Sequence, residues 1–247
     1  FGYINFDDEK LTEIDNYDGL IGAMNALYNN PKFVLFDEIQ NISKWELFVN
    51  RLQRQGYNLI ITGSNSNLLS KELATHLTGR HLLTHIFPFS FKEYLKYKDK
   101  ELTNTEIKEE LSNYVHSGGY PEIVSKKVEV KEYLSLLFDS IMYKDIIKRY
   151  KIRNSKLIED LTMYLISNIA HEYSYYSLAK LGKIKSSHTI AKYVGYLEES
   201  FILFSLSRFS YKIKEQLSSN KKIYCIDNGF IQAKSFKASP DRGKLYE

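Results

Sequence analysis

Hydrophobic positions in the first sixty residues follow two different periods. Tyr3–Phe6 and Phe33-Val34-Leu35-Phe36 are short apolar runs of strand length, and Pro31 breaks the chain just before the second. Residues 18–28, from Gly19-Leu20-Ile21 to Leu27-Tyr28, read as a helix. Trp45, Phe48, Val49 and Leu52 then form a stripe at helical spacing, which Gly56 is placed to end. Ser43-Lys44-Trp45-Glu46 has the form of a capping box at its start, with Ile42 set to staple onto Leu47. Leu59-Ile60-Ile61-Thr62 follows at once as another strand. Strand, helix and strand on short turns predict a parallel βαβ unit, hence an α/β region around a buried parallel sheet.

Beyond Pro88 the period becomes helical. Helices are predicted over 90–97, 105–116, 129–149 and 155–170, interrupted by Ser117-Gly118-Gly119-Tyr120-Pro121. A third pattern begins near 174. It has a short helix 176–181, a loop Gly182–Lys185 and a helix 187–200 with Ser186 or Ser187 as its cap. The apolar face of that helix is Ile190, Tyr193, Val194, Leu197 and Phe201. Two strand-like runs, Phe201–Phe209 and Lys222–Ile226, complete what reads as a winged helix. The fold class is therefore α/β followed by mainly α.

Composition narrows the class. The chain has 247 residues, 43% hydrophobic and 26% charged, which excludes a disordered or fibrous protein. No apolar run approaches the ~18 residues of a membrane span. The single cysteine, Cys225, rules out an internal disulfide and reads as a small buried hydrophobe in a reduced, cytoplasmic protein. The net charge of +4 is uneven. Residues 1–95 hold 8 Lys/Arg against 11 Asp/Glu, whereas residues 140–222 hold 15 against 7. A basic second half points toward nucleic acid, although lysine also serves simply to solvate a surface.

The chemistry concentrates in the first third. Asp37-Glu38 directly follows a buried apolar run, the pattern of a Walker B strand. Acids at the C-terminal end of a parallel strand lie in the crevice where open α/β sheets bind ligands. There the first acid can hold the water shell of Mg²⁺, and the second can orient or deprotonate an attacking water. One strand over, Gly63-Ser64-Asn65-Ser66 brings hydroxyls and an amide to the same edge, either to sense a γ-phosphate or to form a turn. His76, His81 and His85 have no acid or thiol at ligand spacing, and the last two flank a strand-like stretch. Tyr143–Tyr150 reads as a solvated helix face, the alternative being a substrate-facing Asp145 or Arg149.

Several runs together resemble the archaeal and bacterial AAA-type ATPases of the STAND-like branch. They are Phe33–Gln40, Thr62–Ser66, Thr78-Gly79-Arg80, Phe87–Tyr94, Gly118–Glu122, Tyr143–Ile146 and Lys222–Gly229. The resemblance implies ATP and Mg²⁺ as cofactors. Asp37 would be the Mg²⁺-associated acid, Glu38 the catalytic base, and Ser64 or Asn65 the first sensor. Arg80 would be a cation near the γ-phosphate, in cis or across a subunit interface, or else a surface arginine after a glycine turn. The family's phosphate loop, G-x-x-x-x-G-K-[ST], occurs nowhere in the chain, and Phe1 falls where that loop would have just ended. The expectation is an incomplete P-loop NTPase core of the ASCE type, inactive as this chain alone. Glu247 would be the first acid of a nuclease-like domain that lies further on.

The domains expected are an ATPase core over 1–95, a helical region over 96–172, a winged helix over 173–230 and the start of the next domain over 231–247. In the winged helix, His188 and Lys192 would lie on the recognition helix, with Lys183 and Lys185 just before it for phosphate contacts. Glu198 and Glu199 at its far end argue for a protein partner instead. The expected function is an ATPase coupling a nucleotide cycle to DNA, a protein partner or further copies of itself, with no membrane involved. The alternative is a non-enzymatic DNA-binding or scaffold module with a structural ATPase remnant.

Overall fold

A computed structural model describes the chain except for residues 12, 13, 15, 65–80, 127, 185 and 236–241. It divides into two compact units, 1–85 and 86–247.

The first unit is built on three parallel strands, β1 (Gly2–Asn5), β2 (Phe33–Asp37) and β3 (Asn58–Ile61), in the order β1-β2-β3. Helix α1 (Tyr17–Tyr28) links the first pair, and α2 (Trp45–Arg54) links the second. Ile4, Phe6, Val34 and Phe36 form one core with Met24 of α1 and with Trp45, Phe48, Val49 and Leu52 of α2. The stripe read from the sequence is thus the buried face of α2. Phe36 is fully buried beside Phe6 and Phe48, with ring centroids at 5.6 and 5.5 Å. Phe36→Ala should lower the unfolding free energy by about 3–5 kcal/mol, read as a shifted urea midpoint with an unchanged slope.

Three expectations for this unit are corrected. Among the described residues the sheet is buried on one face, where the core side chains of both helices join one cluster. Tyr3, Phe33 and Ile60 on the other face are exposed. The capping box at Ser43 does not form. Lys44 takes the N-cap place with φ 54°, and no side chain caps the helix there. Nor does the staple close, since a 3₁₀ turn over Ile39–Asn41 draws Ile42 into the core while Leu47 stays exposed.

In the second unit, α3 (Phe91–Lys98) and α4 (Asn104–Ser117) each begin with a complete capping box, Ser90 with Glu93 and Thr103 with Glu106. A short α5 (Pro121–Ser125) follows the glycine turn, with proline at its first position. The predicted helix 129–149 is α6 (Val130–Ser140) running on into a π-helix, Ile141–Lys148. Within and just after it, Asp145 pairs with Arg149 at 2.9 Å, both side chains largely covered, so this face is not simply solvated. Tyr150 stacks on Tyr196 at 3.7 Å and donates to Glu199. Helix α7 (Ser155–Ser167) carries Ile158, Leu165 and Ile166 into a core of this second unit that includes Leu134 and Phe138 of α6.

The chain then forms β4 (Glu172–Tyr173), α8 (Tyr175–Leu181), α9 (Ser187–Glu199), β5 (Leu203–Ser207), α10 (Ile213–Ser218), β6 (Lys221–Cys225) and α11 (Asn228–Lys234). The three strands are antiparallel in the order β4-β6-β5. Ile190, Val194 and Leu197 of α9 are fully buried, as its apolar spacing predicts. Ser186 is its N-cap residue but makes no side-chain capping bond. Residues 81–87 are irregular, not strand-like. Among the described residues no helix is long and apolar enough to cross a membrane.

Candidate functional site

Asp37 is the last residue of β2 and lies in register with Asn5 at the end of β1. The β2–β3 ladder runs to Phe36 and Ile61, so its next step brings Thr62 level with Asp37. The Thr62 backbone N–H donates to the Phe36 carbonyl at 2.9 Å and fixes that position. Asn5, Asp37 and Thr62 therefore form one polar row across the C-terminal ends of three parallel strands.

The row is tied together by hydrogen bonds. The Thr62 hydroxyl donates to Asp37 Oδ1, and the Tyr3 phenol donates to Asp37 Oδ2 at 3.1 Å. Thr62 Oγ1 also lies 3.4 Å from the donating backbone nitrogen of Glu38. Partial covering, and then the hydrogen bond to and charge of Asp37, push the Tyr3 phenol above its ordinary pKa. Tyr3 thus meets Asp37 as a neutral donor.

Glu38 has φ 53°, a left-handed conformation uncommon for a side-chain-bearing residue. Its carboxylate accepts the Gln40 side-chain amide two residues on. Gly63 completes the edge. A Cβ there would sit 2.6 Å from Gln40 Oε1, so the glycine keeps room for the Gln40–Glu38 pair. The turn after β2 stays close to β1, with Asn41 Nδ2 donating to the Phe6 carbonyl at 3.2 Å.

Asp37 and Glu38, the two acids expected from sequence, thus share one edge with Ser64 two residues beyond Thr62. Asn65 and Arg80 lie outside the described residues, as does Lys185. In the second unit, Lys183, His188 and Lys192 are all exposed, and His188 and Lys192 are one helical turn apart. Sequence reading missed Thr62, Tyr3 and Gln40. The position of Thr62 as the last residue of an apolar run, parallel to the run ending at Asp37, was the available signal. No pattern announces Tyr3, whose partner is 34 residues away.

Asp37 suits a hard, strongly hydrated cation such as Mg²⁺, which takes one or two carboxylates and keeps much of its water. Among the described residues, no group of three or more His, Cys, Asp or Glu is placed to hold a metal unaided.

Comparison with known proteins assigns the two parts separately. Residues 108–240, more than half of the chain, match the model of a domain of unknown function, DUF8612. The chain belongs to the DUF8612 family. Residues 1–95 match the model of an AAA domain, so this DUF8612 protein also carries the signal of an AAA-type, P-loop ATPase-like family.

Among its curated relatives, the uncharacterized protein MJ1544 of Methanocaldococcus jannaschii is 39% identical, over all of this chain and 58% of its own length. An uncharacterized protein of Haemophilus influenzae is 32% identical over 92% of this chain and 59% of its own length. The chain thus spans a little over half the length of these relatives. A solved structure of the replication initiator DnaA, bound to AMPPCP and single-stranded DNA, aligns with 80% of this chain and 73% of its own. At 17% identity and a TM-score of 0.34 the likeness is loose.

Proposed function

We propose that the protein is an AAA-type ATPase whose catalytic edge is the row at the ends of β1, β2 and β3. The observation that carries this reading is the hydrogen-bonded set of Asp37, Thr62 and the Glu38 backbone at the C-terminal edge of a parallel sheet. Ligands of open α/β sheets gather at that edge.

Asp37, oriented by Thr62 and Tyr3, holds the water shell of Mg²⁺. When bound, Mg²⁺ neutralises developing charge on the phosphates. Glu38, oriented by Gln40, accepts the proton of the attacking water. Ser64 or Asn65 contacts the γ-phosphate or that water, and Arg80 offers a planar fork for phosphate oxygens. The direct test is ATP turnover by the full-length protein against Mg²⁺ concentration. Asp37→Ala should weaken Mg²⁺-dependent nucleotide binding, and an unaltered Mg²⁺ dependence would take Asp37 out of the site.

In this reading, residues 173–230 form a winged helix that joins the nucleotide cycle to DNA. Support comes from the helix pair α8 and α9 lying between β4 and β5 of a β4-β6-β5 antiparallel sheet. Lys183, Lys185, His188 and Lys192 would meet the backbone. If these residues and their neighbours neutralise about four phosphates, log K should fall against log salt with a slope near −3.6. Anisotropy of a labelled duplex across a salt series measures that slope. Binding that ignores salt, or survives charge reversal at Lys183, Lys185 and Lys192, would defeat the winged-helix reading, and no binding even at low salt would point to a protein partner.

A further inference from the structure

Three runs singled out in the sequence, Phe87–Tyr94, Gly118–Glu122 and Lys222–Gly229, have no role in the proposed ATPase edge. They meet at one place inside the second unit. The Phe89 N–H donates to the Gly119 carbonyl at 2.7 Å, and the Tyr114 phenol donates to the Phe89 carbonyl at 2.6 Å. The Gly119 N–H in turn donates to Asp227 Oδ2 at 2.7 Å. Beside this junction lies a cavity of about 580 Å³ whose described lining residues fall between Phe87 and Asn228.

Its lining has a definite chemistry. Phe87, Phe89, Tyr114, Phe201 and Phe204 supply aromatic walls. The Phe87 and Phe201 rings meet edge to face at 6.0 Å. Phe201 is held at φ 56°, a strained backbone for a bulky residue, and such strain concentrates at binding sites. Among the described lining residues the charged side chains are two acids, Glu198 and Asp227.

Titratable groups around the cavity are shifted first by burial. Burial first, and the charge of Asp227 next, raise the Tyr114 phenol above its ordinary pKa. Burial pushes the Cys225 thiol up to about 12. Burial also raises the Asp227 carboxyl, against the lowering effect of its two backbone donors. A half-open, aromatic-lined cavity with acids on its wall opposes phosphates and carboxylates. It favours a positive charge carried on an apolar body, through ring faces and charge-assisted hydrogen bonds.

We propose that this cavity binds a small organic cation, an amidinium or ammonium group on an apolar body, between the aromatic walls and the carboxylates of Glu198 and Asp227. The volume lies in the range of small-molecule sites. The cavity is lined by residues of the second unit, and the proposal does not depend on the ATPase reading.

Benzamidine and benzamide provide the test, having the same flat ring with and without the charge. Each is titrated into the ¹⁵N-labelled 247-residue chain at constant ionic strength and followed by amide chemical shifts. Benzamidine should saturate with about tenfold higher affinity than benzamide and shift the amides of Gly119 and Gly229, which report on Asp227. Glu198→Gln should remove about tenfold of the benzamidine affinity and leave benzamide unchanged. If Glu198→Gln perturbs amides throughout the spectrum, Phe204→Ala takes its place and should weaken both compounds. Equal affinities for the two compounds, failure of either to saturate, or shifts confined to acids elsewhere on the surface would overturn the proposal.

Discussion

Glu38→Gln in the full-length protein should suppress ATP hydrolysis by about 10²–10⁴-fold while leaving ATP binding largely intact, since loss of a general base typically costs that much in rate. The local geometry makes the substitution clean. Glu38 touches its surroundings through a carboxylate oxygen that accepts the Gln40 amide. The amide oxygen of a glutamine can accept the same bond, so the shape of the turn after β2 is kept and only the proton acceptor is lost. The backbone of residue 38, which donates to Thr62, is untouched. Single-turnover hydrolysis beside equilibrium binding of a labelled nucleotide separates the two effects. Unchanged turnover would remove Glu38 from the mechanism, and lost binding would show that it positions the nucleotide.

The position of Glu38 was legible in the sequence because it depends on local pattern. An apolar run followed by two acids, then a helix with a stripe, then another apolar run leaves few topologies besides parallel strands. What surrounds Glu38 was less legible. Thr62 and Tyr3 act on Asp37 across strands, and strand register is a property of the assembled sheet. The expected capping box failed for a related reason. Ser43 and Glu46 have the right spacing, but burial of Ile39 and Ile42 fixes the turn before α2, and Lys44 absorbs the change of direction in a left-handed conformation. Core packing outweighed a capping preference of about 1 kcal/mol.

The same limit applies more strongly in the second unit. The helical spacing of Ile190, Val194 and Leu197 declared a buried face correctly. Short elements such as β4 and α11 gave no periodic signal, because two to seven residues are too few to show one. The π-helix at Ile141–Lys148 was invisible too, since its apolar positions also fit an α-helix.

Asp227 is a residue whose loss should also cost this unit heavily. It is 108 residues from Gly119, yet its carboxylate accepts the Gly119 N–H at 2.7 Å and the Gly229 N–H at 2.8 Å, in a site only 6% exposed. Asp227→Ala would leave both donors buried without an acceptor. At about 1–3 kcal/mol for each, the loss should be about 2–6 kcal/mol, measurable as a fall in the urea midpoint. Gly119→Ala attacks the junction from the other side. Its Cβ would sit 2.1 Å from the Phe89 carbonyl oxygen, a backbone atom that cannot swing aside.

The pH dependence gives Asp227 a separate signature. Burial raises its folded-state pKa above the ordinary 3.8, so the native state holds the proton more tightly than the unfolded chain. Its contribution is therefore most favourable below the unfolded pKa, and it is lost as pH rises through the folded one. Asp227→Asn cannot titrate and provides the baseline. The stability of the wild type relative to Asp227→Asn should decline on going from pH 3 to pH 7, in paired urea melts. A relative stability that rises instead would mean that the two backbone donors outweigh burial and hold the carboxylate charged.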